Sequence, residues 1–276
     1  MEIVGQVLEN KKITLDFFHL KLKVPRSFAM AKPGQFLHVR ISSTMLDPLM
    51  RRPLSLYRVH RQGKDWVAEV LYRVVGHGTQ LLSCVQPGES VSVLGPQGHA
   101  YEIYPQYRTA IMVAGGYGVA PLYFLCEKLL ASPKNKIKPI HVIVAARSKE
   151  LLLCVKEFQA LGVRLYITTN DGSLGQKGLV TDCLEGLLGA KGLNKKQAVV
   201  YACGSHPMLK KVAEVCHTKK VACQVSMEER MGCSVGVCLG CVCKIKTDKK
   251  EKGMPSFRYQ RVCTEGPVFD AEKVIF

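Results

Sequence analysis

The sequence predicts a small antiparallel β-barrel, then a doubly wound parallel-sheet α/β domain, then a C-terminal segment built around cysteines. Three observations predict it. Residues 1 to about 100 hold short alternating segments parted by turn residues. From near residue 108, almost continuous apolar segments alternate with helical ones. The last fifty or so residues follow neither rhythm and crowd Cys233, Cys238, Cys241 and Cys243 into a loop dotted with glycine. The expected divisions are 1–104, 105–225 and 226–276.

In the first region, "FLHVRI" (36–41), "LSLYRV" (54–59), "WVAEVLYRVV" (66–75) and "SVSVLG" (90–95) read as strands. Turn signals such as "KPGQ" (32–35) and "QPGES" (86–90) separate them. Short strands at that rhythm suit a small barrel, with one inserted amphipathic helix at "GTQLLSCV" (78–85).

In the second region the strands are 109–116, 140–146, 163–170, 198–204 and 223–229. Helices are expected over 120–131, 150–161, 180–189 and 207–218. Strands apolar on both faces, alternating with helices, require a parallel sheet covered on both sides.

With 276 residues there is room for two cores, and 47% hydrophobic content is a globular profile. The start, "MEIVGQVLENKK", lacks a basic stretch followed by an apolar one, so no signal peptide is expected. The longest uncharged run (110–126) is short for a membrane span and carries three glycines and a proline. A cytoplasmic protein is therefore expected, whose twelve cysteines are not disulfides. The net charge of +17 is spread along the chain, and its densest run, "TDKKEKG" (247–253), mixes signs. No nucleic-acid motif accompanies it.

Cys233-x4-Cys238-x2-Cys241 is the spacing of a plant-type [2Fe–2S] site, which takes a fourth cysteine from further along. Glycines 232, 236 and 240 suit a loop that wraps a cluster and turns amides toward its sulfurs. Structural zinc more often uses two short Cys-x-x-Cys knuckles. For the fourth ligand, Cys243 would crowd the edge already held by Cys241. Cys263, in "RVCTEGPVF", returns after a 21-residue excursion and closes the site from outside. Cys263 is the expected ligand and Cys243 a structural thiol.

A one-electron centre needs an exchange partner. In "RRPLSLYRV", Arg52 offers a planar charged fork for a pyrophosphate, and Ser55 a hydroxyl for the edge of a flavin ring. In "YRVVGHGTQLL", Gly76 and Gly78 lead into a helix at Thr79, where phosphate reaches exposed amides. Gly115, Gly116 and Gly118, in "VAGGYGVAPL", lie between a strand and a helix, the setting of a dinucleotide-phosphate loop. Cys203 and Gly204, in "YACGSHPMLKKV", sit at a strand's C-terminal end, where open α/β sheets bind ligands. His77 and His206 lie near these loops and read as surface histidines.

Together, "RRPLS", "VGHGT", "GGYGVAP", "ACGSHPM" and "ERMGCSVGVCLGC…VCTEGPVF" resemble the ferredoxin–NADP reductase superfamily. Within it they resemble the electron-transfer subunits of the two-subunit, NAD-linked dihydroorotate dehydrogenases. The resemblance covers essentially the whole chain. It implies FAD on the barrel, NAD as electron acceptor on the α/β domain, and a C-terminal [2Fe–2S] cluster facing an FMN-containing catalytic subunit. It implies FAD contacts at Arg52, Pro53, Leu54, Ser55, Leu71, Tyr72, Arg73, Gly78 and Thr79, and cluster ligands at Cys233, Cys238, Cys241 and Cys263. The excursion holding "TDKKEKGMPS" is longer than is usual in that family.

The implied path runs from dihydroorotate to the partner's FMN, through this chain's cluster and FAD, to NAD⁺. Such an oxidoreductase subunit serves pyrimidine (UMP) biosynthesis, binds no dihydroorotate itself, needs no catalytic residue of its own, and forms a heterotetramer of two plus two. Related reductase subunits, of a ferredoxin:NADP transhydrogenase or a sulfhydrogenase, share these motifs. A basic zinc-binding, nucleic-acid module is the alternative from another class, and it would be colourless. Arg147 and Ser148 follow the second α/β strand, and their sequence alone does not decide NAD against NADP.

Overall fold

The computed structural model describes residues 1–41, 47–247 and 256–276. The mixed-sign run at 247–253 lies, apart from Thr247, outside the described residues.

The first strands are β1 (Glu2–Lys12), β2 (Phe17–Val24), β3 (Phe36–Arg40), β4 (Arg52–Gln62) and β5 (Asp65–Arg73). A short helix, α1 (His77–Cys84), precedes β6 (Ser90–Gln97). The six strands close into a barrel in the order β1-β2-β5-β4-β3-β6. Strict alternation drives closure: β1 opens with Ile3, Gly5 and Val7 buried and their neighbours exposed, so one apolar face turns inward. Leu20, Leu22, Leu37, Leu56 and Val70 fill the interior.

The second unit runs β7 (Thr109–Gly115), α2 (Val119–Ala131), β8 (Ile140–Ala146), α3 (Val155–Ala160), β9 (Arg164–Thr169), β10 (Gln176–Lys177), α4 (Val180–Gly189), β11 (Ala198–Cys203), α5 (His206–Lys219) and β12 (Ala222–Ser226). β7 is buried at five of seven positions and β11 at all six, as strands covered on both faces must be. After these come β13 (Val242–Lys246), β14 (Phe257–Arg261), β15 (Val268–Asp270) and β16 (Val274–Ile275). The large sheet has the order β10-β9-β8-β7-β11-β12-β15.

Two features differ from the sequence expectation. The helix expected over 150–161 is a tight turn at Lys149–Leu151 followed by α3. Leu153 is drawn into the core and Cys154 adopts a left-handed φ of 58°, which resets the chain. The sheet is not wholly parallel, because β15 from the C-terminal segment adds antiparallel to β12, pairing Val225 with Phe269. That strand packs the cysteine segment onto the α/β sheet. The rest of the segment is a small sheet, β14-β13-β16.

Helix α2 joins barrel to sheet. Phe124 is buried among the barrel side chains, Tyr123 stacks on Tyr57 at 4.7 Å, and Arg58 pairs with Glu127 at 2.6 Å. No helix among the described residues is long and apolar enough to cross a membrane.

Candidate cofactor and metal sites

The flavin-type cleft lies on the barrel wall. Arg52, Pro53, Leu54, Ser55, Leu71, Tyr72, Arg73 and Thr79 all line it, so two separate sequence motifs converge. The Arg52 guanidinium packs directly on Gly78: a Cβ there would stand 2.7 Å from Nη2. Arg52 Nη1 donates to the Met50 carbonyl at 2.6 Å, which fixes the fork beside the N-terminus of α1. A permanent cation against open amides is the chemistry that a pyrophosphate requires.

Two of the expected contacts are already engaged. Thr79 Oγ1 accepts from the amides of Val75 (2.9 Å) and Gly76 (3.3 Å), so it shapes the loop. The Tyr72 hydroxyl donates to Asn10 Oδ1 at 2.9 Å. His77 is exposed, and His206 packs edge-on against Phe276.

The dinucleotide-type pocket opens at the C-terminal ends of the parallel strands, with a volume near 490 Å³. Gly115 and Gly116 line it, joined by Tyr117, Arg147, Asn170 and Lys211. The three loop glycines have different reasons to be there. Gly116 has φ +56° and nothing within 4 Å of a Cβ, so its backbone faces open space. At Gly115 a Cβ would strike Met208 Sδ, and at Gly118 the Cys203 carbonyl, so these two serve close packing. Gly204 packs likewise, its own Cβ position 2.7 Å from Met208 Sδ.

Cys203 does not line that pocket. It lies in a third cleft with Phe36, Pro53, Ser55, Glu228 and Met231. Burial, reinforced by the charge of Glu228, pushes its thiol up to about 12, so it stays protonated. Pro53, Ser55 and Glu228 line this cleft and the flavin-type cleft alike. Arg73 and Tyr117 likewise line both the flavin-type cleft and the dinucleotide pocket. The three clefts therefore adjoin, sharing walls. Tyr117 and Glu228 were missed as site residues, although Tyr117 stands inside the quoted glycine loop and Glu228 inside "EERMGC".

The cysteines gather at the far end. Left-handed backbone at Ser234 (φ 55°), Gly236 (φ 82°) and Leu239 (φ 58°) curls the loop. The Cys238 amide points at Cys233 Sγ, 3.4 Å away. Burial opposes ionisation of Cys233, but the amides of Cys238, Val235 and Val237 outweigh it and bring the thiol down to about 6. Cys263 is on a turn tied to this loop by two bonds. The Val262 amide donates to the Cys241 carbonyl at 2.9 Å, and Arg261 Nη1 to the Gly236 carbonyl at 3.2 Å. Glu265 Oε2 braces Arg261, accepting from its amide (2.7 Å) and Nε (2.9 Å).

The thiols fall into two pairs. Cys233 and Cys238 bear on each other's ionisation, and so do Cys241 and Cys263. Burial, then Cys241, raises the Cys263 thiol to about 11. Among the described residues, no three His, Cys, Asp or Glu side chains converge closely enough for a single ion. Two pairs with inward amides suit a two-iron cluster, in which each iron takes two thiolates. Cys243 sits on β13 beside Ile245 in the core, its thiol pushed up to about 11 by burial.

Comparison with known proteins agrees with this geometry. Residues 228–275 match the family model described as the iron-sulfur cluster binding domain of dihydroorotate dehydrogenase B. Residues 112–214 match an oxidoreductase NAD-binding domain. The dihydroorotate dehydrogenase B (NAD(+)) electron transfer subunit of Bacillus pumilus is 39% identical, over 97% of this chain and 96% of that one. Its counterpart from Caldanaerobacter subterraneus is 36% identical over 99% and 98%. Among solved structures, one of an NADH-dependent reduced ferredoxin-NADP oxidoreductase superposes with a TM-score of 0.81 at 26% identity, covering 98% of this chain and 89% of that one. A ferredoxin NADP⁺ reductase from Neisseria gonorrhoeae shares the fold, with a TM-score of 0.66 at 17% identity over 79% and 91%. On sequence, fold and site together, the chain belongs to the family of dihydroorotate dehydrogenase B (NAD(+)) electron transfer subunits.

Proposed function

We propose that this chain carries electrons from an FMN-containing dihydroorotate dehydrogenase catalytic subunit to NAD⁺, as part of a cytoplasmic heterotetramer of two plus two in pyrimidine biosynthesis. The observation that carries the reading is that the three clefts adjoin, sharing Arg73 and Tyr117 on one side of the central cleft and Ser55 and Glu228 on the other. A flavin in the central cleft supplies the chemistry that the two ends lack in common, exchanging a hydride with nicotinamide and single electrons with an iron–sulfur cluster.

The residues have distinct tasks. Arg52 and the α1 N-terminus hold the FAD pyrophosphate, while Gly78 lets the guanidinium lie close. Pro53, Leu54, Ser55, Leu71, Tyr72, Arg73 and Thr79 shape the remaining FAD surface. Gly116 presents its backbone to the NAD pyrophosphate, and Gly115, Gly118 and Gly204 let the loop, β11 and α5 approach. Cys203 stays a neutral wall residue. Cys233, Cys238, Cys241 and Cys263 hold the [2Fe–2S] cluster.

The partner face is the loop around those cysteines. Val235, Val237 and Leu239 are 50%, 78% and 59% exposed there, an apolar rim beside the exposed Cys238 and the half-buried Cys233, with Cys241 and Cys263 buried behind them. A docked subunit would cover the rim and shorten the path to the cluster.

The test is anaerobic. The chain is co-expressed with the FMN-containing catalytic subunit, the complex is purified, and NADH formation is followed on adding dihydroorotate and NAD⁺. The reading expects activity that vanishes without this chain. A coloured protein that pyridine nucleotide reduces, but that neither binds the subunit nor supports the reaction, would favour a ferredoxin-linked reductase like the structural neighbour.

A further inference from the structure

The run from Met231 to Cys243 carries four cysteines and no charged side chain. Any fixed charge that acts on those thiols must come from elsewhere in the fold. Arg261 brings one. It ends β14, opposite Val242 of β13, which delivers its side chain to the edge of the loop. Nη1 donates to the carbonyl of Gly236 at 3.2 Å, between Cys233 and Cys238. Among the described residues, no other charged side chain hydrogen-bonds to this run.

The backbone of Arg261 serves the other part of the ligand set. Its carbonyl accepts from the amides of Thr264 (3.3 Å), Glu265 (2.8 Å) and Gly266 (3.2 Å), closing the turn that carries Cys263. Few charges face the guanidinium. Glu265 Oε2 accepts from Nε at 2.9 Å, and Arg258 bears on Glu265 in turn. The bond to Glu265 and that carboxylate's charge hold the guanidinium above its ordinary value, and the charges of Cys263 and Cys241 add to this. Arginine stays protonated throughout. The cation bonds the loop directly, whereas the carboxylate reaches it only through the cation.

We propose that Arg261 holds the reduction potential of the [2Fe–2S] cluster above the value the loop alone would give, and that Glu265 tempers the effect. The proposal rests on the reading of Cys233, Cys238, Cys241 and Cys263 as the cluster ligands. A cluster bound by thiolates is anionic and becomes more so on taking an electron, so a fixed cation favours the reduced form. Net charge and hydrogen bonding near the sulfurs are the levers that move such potentials. Arg261 is 38% exposed, so water screens its charge. The expected effect is about threefold to tenfold in the one-electron equilibrium, or about 30–60 mV.

The test is a redox titration of the full chain with its cofactors bound. Dithionite and mediators set the potential, and electron paramagnetic resonance reads the reduced cluster. Arg261→Gln removes the charge and keeps a neutral donor, and its midpoint should fall by that amount. Glu265→Gln frees the cation of its partner and should raise the midpoint. Arg261→Lys keeps the charge without the fork, and should lie closer to the parent chain than Arg261→Gln does. A residue that merely braced the loop would not move the midpoint in opposite directions in these two glutamine variants.

If iron and sulfide stay stoichiometric while both glutamine variants match the parent or shift the same way, the proposal falls and the cluster reading stands. Should Arg261→Gln lose its cluster, Glu265→Gln decides, and a midpoint at or below the parent value overturns the proposal. If the parent chain holds no two-iron cluster, the proposal and the cluster reading fall together.

Discussion

The Tyr117 hydroxyl donates a hydrogen bond to Glu228 Oε2 at 2.8 Å, joining the glycine loop after β7 to the strand exit five residues before Cys233. The pair spans the place where the dinucleotide pocket meets the flavin-type cleft, since Tyr117 lines both and Glu228 lines the second. Glu228 is an exposed residue, but partial burial of its carboxylate raises it from its ordinary value, and the Tyr117 hydrogen bond opposes that rise. The two residues thus tie the glycine loop to the exit of β12 where the two clefts meet.

Removing that hydroxyl should loosen the junction without emptying the sites. Tyr117→Phe is expected to lower the rate of flavin reduction by NADH about tenfold, as loss of one hydrogen bond to a charged group implies. Iron and flavin content should not change. Stopped-flow reduction beside cofactor analysis checks both.

The proposed ligands and Cys243 are expected to separate by role. Serine at Cys233, Cys238, Cys241 or Cys263 should abolish the visible iron–sulfur absorption and the stoichiometric iron and sulfide. Cys243→Ala should keep the cluster and cost about 1–2 kcal/mol of stability, because a small buried side chain is truncated. Iron analysis and absorption spectra decide it, and a cluster that survives Cys263→Ser would reassign the fourth ligand.

Arg52 and Gly78 form a second separable pair. Gly78→Ala puts a methyl group 2.7 Å from the guanidinium and displaces it, so FAD should be lost about tenfold more readily. Gly76 has an extended backbone, φ 178°, and nothing within 4 Å of a Cβ, so Gly76→Ala should bind FAD normally. Flavin dissociation followed by fluorescence distinguishes the two substitutions.

Much of this was legible in the sequence because it is periodic or punctuated. Alternation in β1 and β4, and the all-apolar runs of β7 and β11, reveal which face each strand buries. The cysteine spacing likewise revealed the loop that would wrap a cluster. What stayed hidden depends on chain segments remote in sequence. Arg261 reads as one of many surface cations, yet it bridges Glu265 and the Gly236 carbonyl across 25 residues. β15 is three residues long and carries no period of its own, and pairing with β12 makes it a strand. Tyr117 stands between glycines in the sequence, and only the fold brings Glu228, 111 residues on, within hydrogen-bond distance of it.

His38 gives the fold a pH limit. It lies on β3 with its ring wholly buried, and neither ring nitrogen has a hydrogen-bond partner. Burial, then the charges of Arg51 and Arg52, lowers it from 6.5 to about 4. The group stabilises the fold only while neutral. That contribution is complete above pH 6.5 and is lost as pH falls toward 4, because the unfolded chain binds the proton first. At pH 4.5 the loss should reach about 2 kcal/mol, and His38→Leu should remove that component. Denaturant unfolding at pH 7 and pH 4.5 measures it.

The most direct test of the central claim is anaerobic titration of the purified chain with NADH, followed by optical absorption and by electron paramagnetic resonance. The account predicts one flavin and one two-iron cluster per chain, with the flavin bleaching and the cluster taking a single electron from the same reductant. A chain that binds a single zinc ion, or whose cluster stays oxidised after the flavin is fully reduced, would contradict it.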